Sequence, residues 1–465
     1  MLNNEMEWVY PREMEDVYNL IMKHRHNKIC LVDDIDCDGL SSLIIIYRLL
    51  TRMECNVSIR YNTKHGITAQ ELHNFSEFDL VILLDSSTNE CQDYGSFKGE
   101  IIVIDHHNIQ EGLVPSSNVL LCNSKNTNKL ENISAGFLSY TIAKYIGERQ
   151  GINTDDLLSY GVMSIYSDIV PVDDYISKAL YYSLNKTHDT DLVRYSKFSN
   201  VLTRSSYQMD IVPKFNYTRR LNDLTTIDRV VALGYTDTIY EKLVCNRKRA
   251  KSIVDMLSMS KMVSSLYEGG KETLRYLDIT GSKDVLCSVP ITNFKGLLSN
   301  KEKDNYNLNT VICGVDLDDE RVAISIRSSA EVLNNALPYM ENGGGHLKAC
   351  GGVILKSNLS DMLKNVAKLK PVDDINVKDM NWEDLEHEML MEYAMHNELA
   401  FSNITPKEIR LPYTNLFEMP TIEHTVNGIK VKRFKQIPVD KPIVLTPTVT
   451  GTMSGELGLS LIVKN

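Results

Sequence analysis

The sequence predicts an α/β protein in four parts. These are a parallel-sheet α/β domain over residues 1–190, a helical connector over 191–270, a smaller α+β domain over 271–371, and an acidic helical segment leading into a β-rich, OB-like C-terminal domain over 372–465. Three observations predict it. In the first ~170 residues, short and almost continuously apolar runs alternate with helical patterns, the mark of strands buried on both faces. Near residue 319 the pattern becomes two apolar runs joined by an acidic turn, a hairpin. The last ~65 residues combine Pro and Gly with alternating Val, Ile and Leu, an all-β signature.

The elements follow in order. "KICLVDD" (Lys28–Asp34), "NVSIRY" (Asn56–Tyr61), "DLVILLD" (Asp79–Asp85), "EIIVIDHH" (Glu100–His107) and "NVLLC" (Asn118–Cys122) are short, rich in aliphatic and β-branched residues, and predict strands. "GLSSLIIIYRLLTRM" and "SAGFLSYTIAKYIGERQ" predict helices, which makes the domain a parallel sheet with helical crossovers. Helical pattern then runs from about Asp155 to Tyr267. "VICGVDLDDERVAISIRSS" predicts a hairpin turning at Asp318–Glu320. No internal repeat interrupts this order.

Composition narrows the function class. At 465 residues the chain is too long for one core. No apolar run approaches the roughly 20 residues that cross a bilayer, and the acidic start carries no export-signal pattern. Nine cysteines without a Cys-x-x-Cys pair argue for reduced thiols in the cytoplasm, and against a zinc knuckle or a disulfide framework. The net charge of −11 is concentrated. Between Pro371 and Glu398, nine acids face the single base Lys378, so the rest of the chain is nearly balanced and compatible with a nucleic-acid partner.

The strand ends carry the chemistry. Ligands of open parallel sheets bind beyond the carboxyl ends of the strands. Three of these ends are acidic: "VDDIDCDG" supplies Asp33, Asp34, Asp36 and Asp38, "LLDSS" supplies Asp85, and "VIDHH" supplies Asp105, His106 and His107. "YSDIVPV" adds Asp168 where an apolar run stops at a proline. A single such Asp is ordinarily a turn former or helix cap. Several together raise one another's pKa and oppose folding unless cations neutralise them. Oxygen donors with imidazole suit Mn²⁺ or Mg²⁺, and a pair of ions bridged by a carboxylate forms a phosphoryl-transfer site.

"DIDCDG", "LLDSS", "IDHH" and "SDIVPV" resemble the four motifs of the DHH phosphoesterase family. "GGGHLKACGG" (Gly343–Gly352) resembles the motif of its companion C-terminal domain, although "GGGH" taken alone reads as a flexible turn in a loop. "VPKFNYTRRL" (Val212–Leu221) is similar to the Pro-Arg-x-Asn-Ala-Ala-Gly-Arg-Leu segment of RecJ-type single-strand exonucleases. Asn216 and Arg220 fall on its Asn and Arg, while Tyr217 and Thr218 replace the alanines and Arg219 replaces the glycine.

The resemblance implies roles. Asp34, Asp36 and Asp85 hold one ion; Asp38, Asp85, His106 and Asp168 hold a second, with Asp85 as the bridge. Asp105 orients His106, and His107 meets the scissile phosphate. His346, with Gly344 and Gly345 beside it, donates to phosphate, and Arg327 with Ser328 clamps it. Asn216 and Arg220 contact the substrate. The implied activity is hydrolysis of single-stranded DNA, favoured over RNA, from the 5′ end to nucleoside monophosphates, by a monomer using two Mn²⁺ or Mg²⁺ ions. An oligoribonuclease or cyclic-dinucleotide phosphodiesterase is the alternative, and a non-catalytic binding partner the third reading.

Other features are assigned more simply. Arg247, Lys248, Arg249 and Lys251 read as a solvated basic helix face or, equally, as a contact for a single-stranded nucleic-acid backbone. "IKVKRFKQI" (Ile429–Ile437) suits an OB-like strand with Phe434 stacking on a base, or a lysine-guarded edge strand. His24 and His26 read as surface residues, and the family resemblance implies that His65 lines the substrate entry. "EGGKET" lacks the phosphate-loop spacing of a nucleotide-driven motor.

Overall fold

The computed structural model describes residues 6–62, 66–170, 173–186, 190–196, 202–268, 271–283, 286, 289–372, 377–381, 384–399, 408–411, 423–426, 429–433, 443–451 and 457–463. His65 and Phe434 lie outside them. Two compact units divide the chain: the first is Met1–Arg219, Leu224–Glu241 and Ile375–Asn465, the second Arg220–Asp223 and Lys242–Asp374.

The first unit begins with α1 (Met14–Lys23), β1 (Lys28–Asp33), α2 (Cys37–Arg52), β2 (Asn56–Tyr61), β3 (Leu80–Leu84), β4 (Glu100–Asp105) and β5 (Val119–Asn123). The strands form an all-parallel sheet in the order β2-β1-β3-β4-β5. All five residues of β3 are buried, because a sheet covered on both faces offers no polar side to alternate with. Cys30, Val32, Val81, Leu83, Ile101 and Val103 share one core with Tyr94 and Phe97. Burying six side chains of this kind contributes on the order of 1.5–3 kcal/mol each. Helices α3 (Ala135–Gln150) and α4 (Leu158–Asp168) follow, then α5 (Asp174–Lys186), α6 (Asp191–Tyr195), α7 (Val212–Arg220), α8 (Leu224–Leu233) and α9 (Asp237–Ser260), the last of which belongs to the second unit from Lys242 onward.

The second unit is built on β6 (Met262–Glu268), β7 (Lys271–Asp278), α10 (Lys295–Tyr306), β8 (Thr310–Asp316), β9 (Arg321–Ser328), α11 (Leu333–Ala336), β10 (Met340–His346), β11 (Ala349–Leu355) and α12 (Lys356–Ala367). Its sheet runs β10-β11-β9-β8-β7-β6, and the predicted hairpin at Asp318–Glu320 joins β8 to β9. Two expectations are corrected here. The helical pattern stops at Ser260, and Met262–Tyr267 is strand, because the β-branched and aromatic residues of "MVSSLYE" pair antiparallel with β7. The "GGGH" stretch is likewise an edge strand, β10, rather than a loop.

The C-terminal residues form β12 (Val377–Asp379), α13 (His387–Leu399), β13 (Glu408–Leu411), β14 (Glu423–Val426), β15 (Ile429–Arg433), β16 (Ile443–Gly451) and β17 (Leu457–Val463). They make a six-stranded mixed sheet in the order β12-β13-β16-β17-β15-β14, packed through Leu390, Ile409, Leu445 and Leu461. Strand β15 pairs with both β14 and β17, so it is interior, not the edge strand that its lysines suggested. No helix among the described residues is long and apolar enough to cross a membrane.

One further expectation fails. His24 is buried, at 6% exposure, with its imidazole 2.6 Å from Glu100 Oε2, whereas His26 is exposed.

Close approach of α2, α3 and α4 depends on Gly136. A Cβ there would lie 2.6 Å from Ser164 Cβ and 2.8 Å from Ser41 Cβ. Gly136→Ala is expected to lower stability by about 1–3 kcal/mol, read as a lower urea midpoint; an unchanged midpoint would mean that these helices part easily.

Candidate metal centre

The parallel sheet delivers acids to one edge. β1 ends at Asp33 and the chain enters α2 through Asp36, whose Oδ1 accepts the amides of Asp38 (2.9 Å) and Gly39 (3.2 Å). Asp36 is thus both a helix N-cap and a member of the acid cluster. Asp38, on the first turn of α2, accepts the amides of Ala135 (3.0 Å) and Gly136 (2.6 Å) at the start of α3. Two helix N-termini therefore face this cluster, each favouring negative charge. β3 ends at Leu84, and Asp85 takes a left-handed backbone, φ 62°, with its amide held by Ile104 O at 2.9 Å. Asp168 is the last residue of α4.

His106 Nε2 is the centre of one group, 3.6 Å from Asp38 Oδ2, 3.4 Å from Asp85 Oδ1 and 3.5 Å from Asp168 Oδ2. Asp34, Asp36 and Asp85 form a second group, with one ligand oxygen from each lying within 4.8 Å of the others. Asp85 belongs to both. Its carboxyl is pushed well above the usual range by burial, then by Asp38, Asp36, Asp34 and Asp105. Asp38 is pushed the same way by burial, Asp168 and Asp36, against the two amides that hold it. Asp85 Oδ1 is buried and accepts no hydrogen bond among the described residues. A carboxylate nest with an orphaned buried oxygen and one imidazole fits a divalent cation of the Mn²⁺ or Mg²⁺ kind.

Asp105 differs from these. Its Oδ1 accepts His107 Nδ1 (2.7 Å) and the His106 amide (2.7 Å), and its Oδ2 accepts Thr88 Oγ1 (2.6 Å) and the Thr88 amide (3.2 Å). Asn123 Nδ2 donates to Thr88 Oγ1 and to His107 O, closing the network. The side-chain bond from Asp105 thus runs to His107, and the expectation that it orients the His106 ring is corrected. Both histidines lie beyond the end of β4 at Asp105, and it is the His107 ring that reaches back to the Asp105 carboxylate. Burial alone would pull His107 down, but the Asp105 charge and bond raise it to about 10. Burial raises Asp105, and His107, His106 and Thr88 together bring it below the usual carboxylate range.

Within the second unit, cations gather at the start of α10. Arg220 Nη1 donates to Asn293 O (2.6 Å), and Asn293 Nδ2 donates back to Arg220 O (3.3 Å). Arg327 Nη1 donates to Ile326 O (2.8 Å) and Ser325 Oγ (3.1 Å). Its other terminal nitrogen lies where a Cβ on Gly296 would come within 2.7 Å. Lys295 stands between these positions on the chain. Burial pulls Lys295 down, Cys313 opposes this and Arg220 adds to it, leaving Lys295 at about 8. Burial and Arg220 similarly hold Arg327 at about 10, with Cys350 opposing. Lys295 and Arg327 are thus both lowered by burial first, with Arg220 adding to it.

The remaining predicted residues are placed as follows. Asn216 is half-buried in α7, and its Oδ1 accepts no hydrogen bond among the described residues. Gly344 is exposed on β10, and Gly345 has φ 127°, with a hypothetical Cβ 2.6 Å from Ala349 O, so only glycine fits. His346 ends β10, half-buried. Ser328 departs from its assignment: it is 7% exposed, and its hydroxyl pairs with Thr310 Oγ1 and accepts the Ala330 amide, which is structural work between β8 and the turn after β9. Lys248, Arg249 and Lys251 are exposed on α9 and Arg247 half-buried. Sequence reading missed Thr88, Asn123 and Lys295. None carries a motif signal, since each matters only through a neighbour distant in sequence.

Residues 28–162 match the DHH family, N-terminal domain. A search of curated proteins by sequence finds no match. Among solved structures, the chain is similar to RecJ from Thermus thermophilus in complex with Mn²⁺, with TM-score 0.69 and 15% identity, covering 100% of this chain and 73% of that one. It is similar to exonuclease RecJ bound to manganese, with TM-score 0.58 and 15% identity over 79% and 97% of the two chains. It is also similar to the DHH domain of a member of the s1p family of ribosomal proteins, with TM-score 0.54 and 14% identity over 77% and 90%. The fold is RecJ-like.

The pair Asp105–His107 sets a pH dependence. In the metal-free protein the raised His107 stabilises the fold fully below about 6.5, and this is lost as pH rises toward about 10. The lowered Asp105 stabilises it above about 3.8, and this is lost as pH falls further. His107 has 35% of its side chain exposed, so solvent screens part of the effect. Asp105→Asn is expected to move the His107 titration down toward or below 6.5 in NMR of the metal-free protein; a titration still near 10 would contradict the pairing.

Proposed function

We propose that this chain, whose residues 28–162 are a DHH-family N-terminal domain, is a metal-dependent phosphodiesterase that hydrolyses single-stranded DNA from the 5′ end in the manner of RecJ. The carrying observation is the buried acid nest at the strand ends, in which Asp85 belongs to both the His106 group and the Asp34–Asp36 group. The RecJ-like fold along the whole chain supports the long-strand reading, as do the Asn216 and Arg220 positions.

Asp34, Asp36 and Asp85 would hold one divalent ion, and Asp38, Asp85, His106 and Asp168 a second. When bound, such ions supply Lewis-acid charge neutralisation at the phosphate and lower the pKa of a water. The protein's own groups do the rest. His107, hydrogen-bonded through Nδ1 to Asp105, is a donor to a phosphate oxygen. Arg220, Lys295 and Arg327 offer cationic donors to phosphate, with His346 and the exposed glycines of β10 as further phosphate contacts in the second unit. In the reaction, a water oxygen bonds to phosphorus and the bond to the bridging 3′-oxygen breaks. That oxygen leaves with a proton as the 3′-hydroxyl of the released nucleotide, and the phosphate stays on the shortened strand.

The decisive assay uses 5′- and 3′-labelled DNA and RNA oligonucleotides with Mn²⁺, Mg²⁺ or chelator. Stepwise release of mononucleotides from the 5′ end of DNA is expected. Efficient cleavage confined to dinucleotides or cyclic dinucleotides would replace the proposal with the short-substrate alternative. Asp85→Asn is expected to abolish hydrolysis while raising the melting temperature of the metal-free protein, since it removes a buried, repelled charge. Arg220→Ala is expected to lose at least about ten-fold more on a long strand than on a dinucleotide (about 1.4 kcal/mol of extra binding); equal losses would argue against strand contact there.

A further inference from the structure

Arg219 stands where the RecJ-type segment has glycine, and it is the largest fully buried side chain among the described residues. Its Nη2 lies 3.0 Å from Asp33 Oδ2, both side chains having no exposure. The same nitrogen donates to Asp34 O at 2.9 Å and to Asn62 O at 3.1 Å. The guanidinium also stands 5.7 Å from the centre of the Tyr61 ring. These contacts come at a particular place. The β1–β2 ladder ends at the pair Asp33–Tyr61, and Asp34 and Asn62 are the next residues on each strand. Beyond the last rung, the two carbonyls would otherwise diverge, and Arg219 joins them. Asp33 contributes from the other side, its Oδ1 accepting the Asn62 amide at 3.3 Å.

We propose that Arg219 is a positioning residue for the metal-binding carboxylates, fixing the backbone from which Asp34 and Asp36 project toward a divalent cation. This rests on the divalent-metal reading of the acid nest. One terminal nitrogen, Nη2, meets two carbonyls and a carboxylate at once, while Nε and Nη1 are buried without a hydrogen-bond partner among the described residues. A glycine at this position has no side chain to make any of these contacts. The arginine reaches the loop from the end of α7, so the geometry of the acids depends on a helix 185 residues further along the chain. Its charge is matched by Asp33 at contact distance, so the pair adds little net field at the metal ligands, and geometry is the larger contribution.

The test is Mn²⁺ binding to the full, metal-stripped chain, measured by calorimetry and by the Mn²⁺ EPR spectrum, with thermal melts recorded without metal. Asp33→Asn combined with Arg219→Met removes both charges and leaves the net charge unchanged. It is expected to weaken Mn²⁺ binding by about 10–100-fold, the usual effect of removing a group that orients a ligand, and to broaden the EPR signal. Arg219→Lys keeps the charge but not the fork; it is expected to lose less affinity than the double variant while melting near the wild type. Asp85→Asn serves as the control for the metal reading. If the double variant folds and binds Mn²⁺ as the wild type does, while Asp85→Asn fails to bind, Arg219 is not a positioning residue. If Asp85→Asn also binds normally, the metal reading itself is overturned. Should the double variant not fold, Arg219→Lys decides: weakened binding supports the proposal and unchanged binding with an unchanged EPR spectrum overturns it.

Discussion

Like charge held in a confined space is the constraint from which the rest of this protein follows. Asp38 and Asp85 are buried within reach of Asp34, Asp36 and Asp168, and burial and mutual repulsion both disfavour their ionised forms. One pair of unit charges 4 Å apart costs about 4 kcal/mol at an effective dielectric constant of 20. A few such pairs rival the whole stability of a domain, roughly 5–15 kcal/mol. The surrounding fold must therefore over-determine the acids. It does so with aligned strands of continuously apolar sequence, with the N-termini of α2 and α3 directed at Asp36 and Asp38, and with backbone hydrogen bonds that leave the loops little choice.

The acid nest was legible in the sequence because its physical cause is local. An apolar run must end where it leaves the core, and acids placed just there lie along one edge of a parallel sheet. The same reasoning failed wherever the deciding partner was remote. Whether Asp105 serves His106 or His107 turns on a side-chain rotation, and Thr88 and Asn123 complete that network from two other strand ends. His24 looked like a turn residue, yet Glu100 at the start of β4 draws it inward. Ser328 beside an arginine resembled a phosphate contact, but its hydroxyl is occupied by Thr310. Met262–Tyr267 followed a long helix without a glycine or proline to mark the change, and only pairing with β7 makes it a strand.

The charge distribution has its own logic. A net charge of −11 would oppose an anionic substrate if it were spread evenly. Instead, much of the excess lies between residues 371 and 398, while Arg220, Lys295 and Arg327 crowd the start of α10, where burial, with Arg220 adding to it, lowers Lys295 to about 8. The two clusters are built by opposite means. The acids are gathered at strand ends and helix N-termini, which favour negative charge. The cations are gathered against a helix N-terminus, which disfavours them.

Backbone strain locates the most constrained point of the acid nest. Asp85 and Ser87 both take positive φ, 62° and 74°, in a stretch without glycine. Left-handed backbone at such residues costs on the order of 1–3 kcal/mol each and persists only where the surroundings enforce it. Here the enforcement is visible, because the Asp85 amide is bonded to Ile104 O, one residue before Asp105, and Thr88 is bonded to Asp105 itself. The turn after β3 is thus sewn to the end of β4 at both of its ends. A relaxed turn would let Asp85 swing toward solvent and escape its neighbours; this one holds the carboxylate where repulsion is greatest. So unfavourable an arrangement, maintained by backbone strain as well as burial, fits a divalent cation that would relieve it.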